Sequence, residues 1–138
     1  MERIHDLVPF VHVADPERSV EFYGRLGMEV IDRLGEEGAV HWAFLRSDYA
    51  CLMVARASAP IDPAEQAVLL YLYVHDLVAL REQLRAAGVT VGAIGYPDHM
   101  PEGEMRVHDP GGYTLLIGQR PPPSQPSLRF ANRNAGPS

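Results

Sequence analysis

The sequence predicts an α+β fold of two tandem β-α-β-β-β modules, and three observations predict it. Val13 and Val74 stand 61 residues apart, and the same offset relates Asp15 to Asp76, Gly27 to Gly88, Val30 to Val91 and Asp48 to Asp109. Each half places short apolar strand-like runs around one helical segment. The second half closes on Glu104-Met105-Arg106-Val107-His108-Asp109-Pro110-Gly111-Gly112-Tyr113, where strand alternation runs into turn chemistry. One offset held through strand, helix cap, helix stop and hairpin turn marks a duplicated unit, and neither half is expected to bury its sheet alone.

The elements follow in order. Leu7 to Val13 reads as a strand whose Pro9 suits an edge or a strand start. Asp15 has the chemistry of an N-cap, with Pro16 at the first helical position and Glu17 in the first turn. Val20, Tyr23 and Leu26 recur at helical spacing, and Gly27 supplies the stop. Strands are expected over Met28–Leu34, Val40–Arg46 and Cys51–Arg56, and Ala57–Glu65 with its two prolines reads as a linker. The order then repeats: a strand over Val68–Val74, a helix from the Asp76 cap to Gly88, a strand over Val89–Ile94, a loop to Gly103 and the closing hairpin. The domain is expected to span 1–119, with modules at about 5–57 and 66–119. From Arg120 to Ser138 the proline-rich composition predicts a disordered or loosely draped tail.

Composition limits the partners. The chain has 138 residues, 46% hydrophobic and 22% charged, with a formal net charge of −6. That charge, with no Lys/Arg cluster, argues against nucleic acid and against an anionic membrane surface. No apolar run approaches the roughly 20 residues of a membrane span, and the first residues lack a signal peptide's apolar core. The single cysteine, Cys51, has no internal partner and fits a reducing cytoplasm; in a strand without a basic neighbour it reads as buried and inert.

Two stretches carry a family resemblance: Val13-Ala14-Asp15-Pro16-Glu17-Arg18-Ser19-Val20-Glu21-Phe22-Tyr23 with Leu26-Gly27-Met28, and Asp109-Pro110-Gly111-Gly112-Tyr113. Over about residues 7–119 the chain resembles the vicinal oxygen chelate superfamily, which includes glyoxalase I, fosfomycin-resistance proteins, extradiol dioxygenases and bleomycin-resistance proteins. The resemblance implies two modules that curl their sheets around a shared cleft, often in a homodimer. It also implies where metal-dependent members hold their ion: at Val8 and Leu69 on the first strands and at Ala55 and Leu116 on the last. All four are apolar, and an alkyl group cannot coordinate a metal. The expectation is therefore no metal and no cofactor.

Strand alternation gives the residues that share the face of those four positions. They are Phe10 and His12, then Tyr71 and Tyr73, with His41, Ala43 and Leu45 from the first hairpin and Glu104 and Arg106 from the second. Trp42, Phe44, Met105 and Val107 are expected to point the other way. An aromatic cleft with a few polar groups is the usual make-up of a small-molecule pocket. Plainer readings stand beside each candidate. His12 and His41 fit hydrogen-bonded strand residues as well as ligand contacts, and Glu104 with Arg106 fits a structural or dimer-interface pair. Tyr71 and Tyr73 fit ordinary strand packing as well as stacking, while His75, His99 and His108 read as surface residues.

Two functions are compatible with this pattern. The first is a metal-independent small-molecule binding protein, similar to the bleomycin-resistance branch, that sequesters an aromatic or cationic antibiotic-like compound. The alternative is a divergent lyase, isomerase or dioxygenase whose site is built from His12, His41 and Glu104.

Overall fold

In the computed structural model, which describes residues 2–120, both helices begin and end as their local chemistry dictates. Helix α1 (Pro16–Gly24) starts at Asp15, whose carboxylate accepts from the backbone N–H of Glu17 at 3.1 Å. Helix α2 (Leu77–Ala86) starts at Asp76, which accepts from Ala79 N–H at 3.0 Å. The bonds satisfy first-turn donors that the helix itself leaves unpaired. Each helix closes with the paired bonds of a Schellman ending. Gly27 and Met28 donate to Gly24 and Tyr23, and Gly88 and Val89 donate to Arg85 and Leu84. Gly27 and Gly88 sit at φ +89° and +84°, the left-handed region that a side chain disfavours.

The remaining elements are β1 (Phe10–Val13), β2 (Glu29–Leu34), β3 (Trp42–Ser47), β4 (Ala50–Arg56), a 3₁₀ turn (Pro63–Glu65), β5 (Leu69–Val74), β6 (Glu104–His108) and β7 (Thr114–Gln119). They form two sheets, ordered β1-β4-β3-β2 and β5-β7-β6. In the first, β1 runs parallel to β4 at one edge, and β2, β3 and β4 are antiparallel neighbours. Pro9 precedes β1 and offers its carbonyl to Met53 N–H at 2.9 Å, which suits a residue with no donor of its own.

Contacts divide the described residues into two compact units, 2–70 with 107–115, and 71–106 with 116–120. In the first, Val11, Val13, Phe22, Tyr23, Ala43, Leu45, Leu52, Val54, Val107, Tyr113 and Leu115 are buried. At the centre Asp109, only 5% exposed, accepts from the Tyr23 hydroxyl and from the backbone N–H groups of Gly111 and Tyr113. Tyr113 in turn donates to the His12 carbonyl at 3.1 Å. Burial outweighs these bonds and holds the Asp109 carboxyl above its ordinary range, and burial beside Asp109 raises the Tyr23 phenol as well. In the second unit Leu77, Leu80, Leu84, Met105 and Ile117 are buried.

One expected strand does not form. Along Val89–Ile94 the backbone reaches β6 through Gly92 N–H, which donates to Arg106, and just past it Gly95 and Glu104 exchange bonds at 2.9 Å. Between these contacts the segment advances three residues while β6 advances two, so an extra residue bulges out and pairing cannot become regular. The expected tail, from residue 121 onward, lies outside the described residues. Among the described residues no helix is long and apolar enough to cross a membrane.

Candidate functional site

The seven candidate residues divide between the units: Phe10, His12 and His41 in the first, and Tyr71, Tyr73, Glu104 and Arg106 in the second. In the first sheet the register aligns Phe10 with Met53 and Phe44, and His12 with Ala55 and Trp42. Aligned residues on neighbouring strands project to the same face. Phe10, His12, Trp42, Phe44, Met53 and Ala55 therefore share one face, with Phe10 and His12 ring centroids 5.2 Å apart. Trp42 and Phe44, expected to point away, are here; Ala43 and Leu45, expected here, are 0% and 1% exposed on the opposite side with Val11, Leu52 and Val54. Helix α1 packs against β3 and β4, and small Ala43 admits its close approach where Trp42 could not.

His41 lies just before β3. Its carbonyl accepts from Arg56 N–H at 2.9 Å, which extends the ladder by one residue. Alternation then sets its side chain on the side of Ala43, not of His12. Cys51 is half-buried.

The second unit brings three of its four candidates, Tyr71, Tyr73 and Glu104, into contact, while Arg106 is exposed two residues along β6. Tyr71, Tyr73 and Glu104 lie on the face opposite buried Met105 and Ile117. Tyr71 and Tyr73 rings stand 5.2 Å apart at 38°. The Tyr71 hydroxyl donates to Glu104 Oε2, and His99 Nε2 meets the same oxygen at 2.7 Å. A carboxylate oxygen only accepts, so Nε2 carries the hydrogen in this pairing. The Glu104 side chain is 15% exposed and that of His99 61%. The hydrogen bond from Tyr71, foremost, holds the Glu104 carboxyl below the usual carboxylate range, against the opposing effect of desolvation. Tyr71 is pushed up to about 12, by burial first and by Glu104 second.

Three residues outside the expected set complete this face. His99 arrives on the loop before β6 and faces the Tyr71 ring edge-on at 6.2 Å between centroids. Met100 follows it, and a Cβ at Gly118 would stand 3.0 Å from Met100 Cε. The absent side chain at Gly118 makes the room for that thioether. Arg120, the first residue past β7, lays its guanidinium carbon 3.5 Å from the centre of the Tyr73 ring. No spacing rule announces these three. His99 and Met100 lie between prolines in a loop, and Arg120 opens the stretch that composition marks as tail.

The four metal-ligand positions remain without donors in the folded chain: Leu69 is 53% exposed, and Val8, Ala55 and Leu116 are half-buried. Among the described residues no group of three or more His, Cys, Asp or Glu side chains is placed to hold a metal ion. The residues present do not fit the ion that metal-dependent members bind. An open depression along Val30, Ile31, Asp32 and Arg33 on β2 includes none of the candidates.

Residues 3–117 match the family model described as the Glyoxalase/Bleomycin resistance protein/Dioxygenase superfamily. Solved structures share the fold at low identity. A bleomycin resistance determinant encoded on transposon Tn5 is 19% identical, with a TM-score of 0.70 over 85% of this chain and 98% of that one. A bleomycin-binding protein complexed with bleomycin is 19% identical, with a TM-score of 0.69 over 85% and 99%. A lactoylglutathione lyase from Agrobacterium tumefaciens is 14% identical, with a TM-score of 0.64 over 86% and 96%. No curated protein sequence matches the chain.

Proposed function

The chain belongs to the glyoxalase/bleomycin resistance protein/dioxygenase superfamily, and from that premise we propose that it is a metal-independent small-molecule binding protein. Its ligand is an aromatic, antibiotic-like compound carrying positive charge, and the bleomycin-binding protein of the same fold, complexed with bleomycin, supports a small-molecule ligand. The observation that carries this reading is the Tyr71–Glu104–His99 contact beside Tyr73. It offers two ring faces for stacking and a held carboxylate for a cationic group. Apolar side chains at Val8, Ala55, Leu69 and Leu116 support binding without a metal. In this reading the domain covers 1–119 in two modules, the ligand-binding candidates are Phe10 and His12 on the first unit and Tyr71, Tyr73, Glu104 and Arg106 on the second, and the protein acts as a cytoplasmic homodimer. Exposed Val30, Ile31 and Leu34 on edge strand β2 support self-association.

Catalysis by acid–base chemistry is the weaker reading. A general base or acid works best with a pKa near the working pH. Glu104 moves below the carboxylate range and Tyr71 up to about 12, each away from neutrality. Such a pair is suited to holding charge rather than passing a proton.

Native mass spectrometry of untagged protein, with and without a chelator, tests the proposal. A co-purifying or added planar cation should be retained equally in both samples. Retention only after divalent metal is restored would overturn it.

A further inference from the structure

We propose that Arg120 is a resident cation on the Tyr73 ring, and that a planar cationic ligand takes its place there, so that Arg120 sets both affinity and ligand class at this face. The inference rests on the reading of the Tyr71–Tyr73–Glu104 face as the binding site.

The geometry separates what is fixed from what can move. Arg120 N–H donates to the Val74 carbonyl at 2.8 Å, and the Arg120 carbonyl accepts from His75 Nδ1 at 3.1 Å. Its neighbour Gln119 is held as firmly: the side-chain oxygen accepts from Leu77 N–H at 2.7 Å, and its backbone N–H donates to Gly103 at 2.9 Å. The backbone at 119–120 is thus tied to β5 and to the start of α2. The side chain of Arg120, by contrast, is exposed and rests on the Tyr73 ring.

The contact itself names the chemistry. Arg120 Cζ lies 3.5 Å from the Tyr73 centroid, the distance of a stacked cation. Even so covered, Tyr73 is 45% exposed, with Tyr71 beside it at 5.2 Å. A guanidinium is planar, delocalised and weakly hydrated. A ligand with a planar cation replaces like with like at Tyr73, adds the Tyr71 face, and approaches the Glu104 carboxylate. A neutral ring of the same shape gives up the cation–π contact without replacing it. An anionic ring would gain from Arg120 staying in place.

Fluorescence titration of the full chain with 9-aminoacridine, a planar cation at neutral pH, and with its neutral isostere acridone tests the inference. Wild type should bind 9-aminoacridine more tightly than acridone. Arg120→Ala should tighten 9-aminoacridine roughly 2–5-fold, the worth of one exposed cation–π contact. Arg120→Lys keeps charge and stem but loses the flat stack, so it should fall between the two and guards against a folding artefact. In Tyr73→Leu the effect of Arg120→Ala should vanish. By NMR, the Arg120 δ-methylene protons should be shifted upfield in the free protein and return to ordinary positions when 9-aminoacridine saturates it. Weaker or unchanged binding in Arg120→Ala, preference for acridone, or an upfield shift that survives saturation would each overturn the exchange while leaving the face as a binding site. If neither probe binds wild type or any variant, the binding-face reading itself fails and the inference falls with it.

Discussion

Tyr71 and His99 both direct hydrogens at one oxygen of Glu104, and this has a consequence for pH. The folded-state pKa of Glu104 is lowered, so its stabilising contribution is fully present above the unfolded value of 4.5 and is lost as pH falls through the folded value. Glu104→Gln lacks that contribution at every pH. Urea midpoints of wild type and Glu104→Gln should therefore differ at pH 7 and converge as pH drops below 4.5; a gap that stays constant would contradict the assignment. Asp109 presents the reverse case. Its carboxylate is buried and depends on the Tyr23 hydroxyl. Tyr23→Phe keeps the ring and removes the donor, leaving a buried acceptor short of one bond. It should cost about 1–3 kcal/mol in chemical denaturation. Because the pKa of Asp109 is raised in the folded state, that residue favours folding at pH below its unfolded value and loses this advantage as pH rises through the folded one.

Among the elements, the two helices were the most legible from the sequence because their signals are local. Asp15 and Asp76 cap, Gly27 and Gly88 stop, and all four do so in the structure. The matched endings make a paired prediction. Gly27→Ala and Gly88→Ala each force an alanine into a left-handed residue and should each destabilise by about 1–2 kcal/mol. Calorimetric melts should show similar losses for both; a neutral outcome at either would mean its ending rearranges. The second hairpin was legible too, since polar Glu104 and Arg106 alternate with apolar Met105 and Val107, which are each 1% exposed. The first hairpin was not. Ala43 carries little hydrophobic signal and Trp42 a great deal, yet closeness to α1 favours the small residue and leaves the indole half-buried. Residues 89–95 have strand-like composition, but the extra residue opposite β6 prevents a regular ladder, and a bulge against a distant strand cannot be read from neighbours in sequence. His99, Met100 and Arg120 were missed for the same reason. Their roles depend on which distant ring or glycine the fold delivers to them.

At the scale of the molecule, two expectations concern what the chain binds. Light scattering of the purified protein should give twice the 15.3 kDa of one chain, and charge placed in the exposed apolar edge by Ile31→Glu should reduce it to the single-chain value. Dialysis against chelator should leave the melting temperature unchanged, since Val8, Ala55, Leu69 and Leu116 provide no donor atoms whose loss of metal would be felt.

The bond between Tyr23 and Asp109 also sets a timetable for assembly. It joins residues 86 positions apart, and the Tyr113–His12 bond spans 101. Closing such long loops costs entropy before any contact returns it, so folding rates fall as native contacts become more distant in sequence. On a ribosome adding roughly 5–20 residues per second, helix α1 waits on the order of 4–17 s for Asp109 to be made. Once β4 has been made the first sheet can pair its own four strands, but the slot for residues 107–115 stays open. The unit cannot fold to completion as it emerges. Its core closes only when residues 107–115 have been synthesised and Asp109 reaches Tyr23 of helix α1.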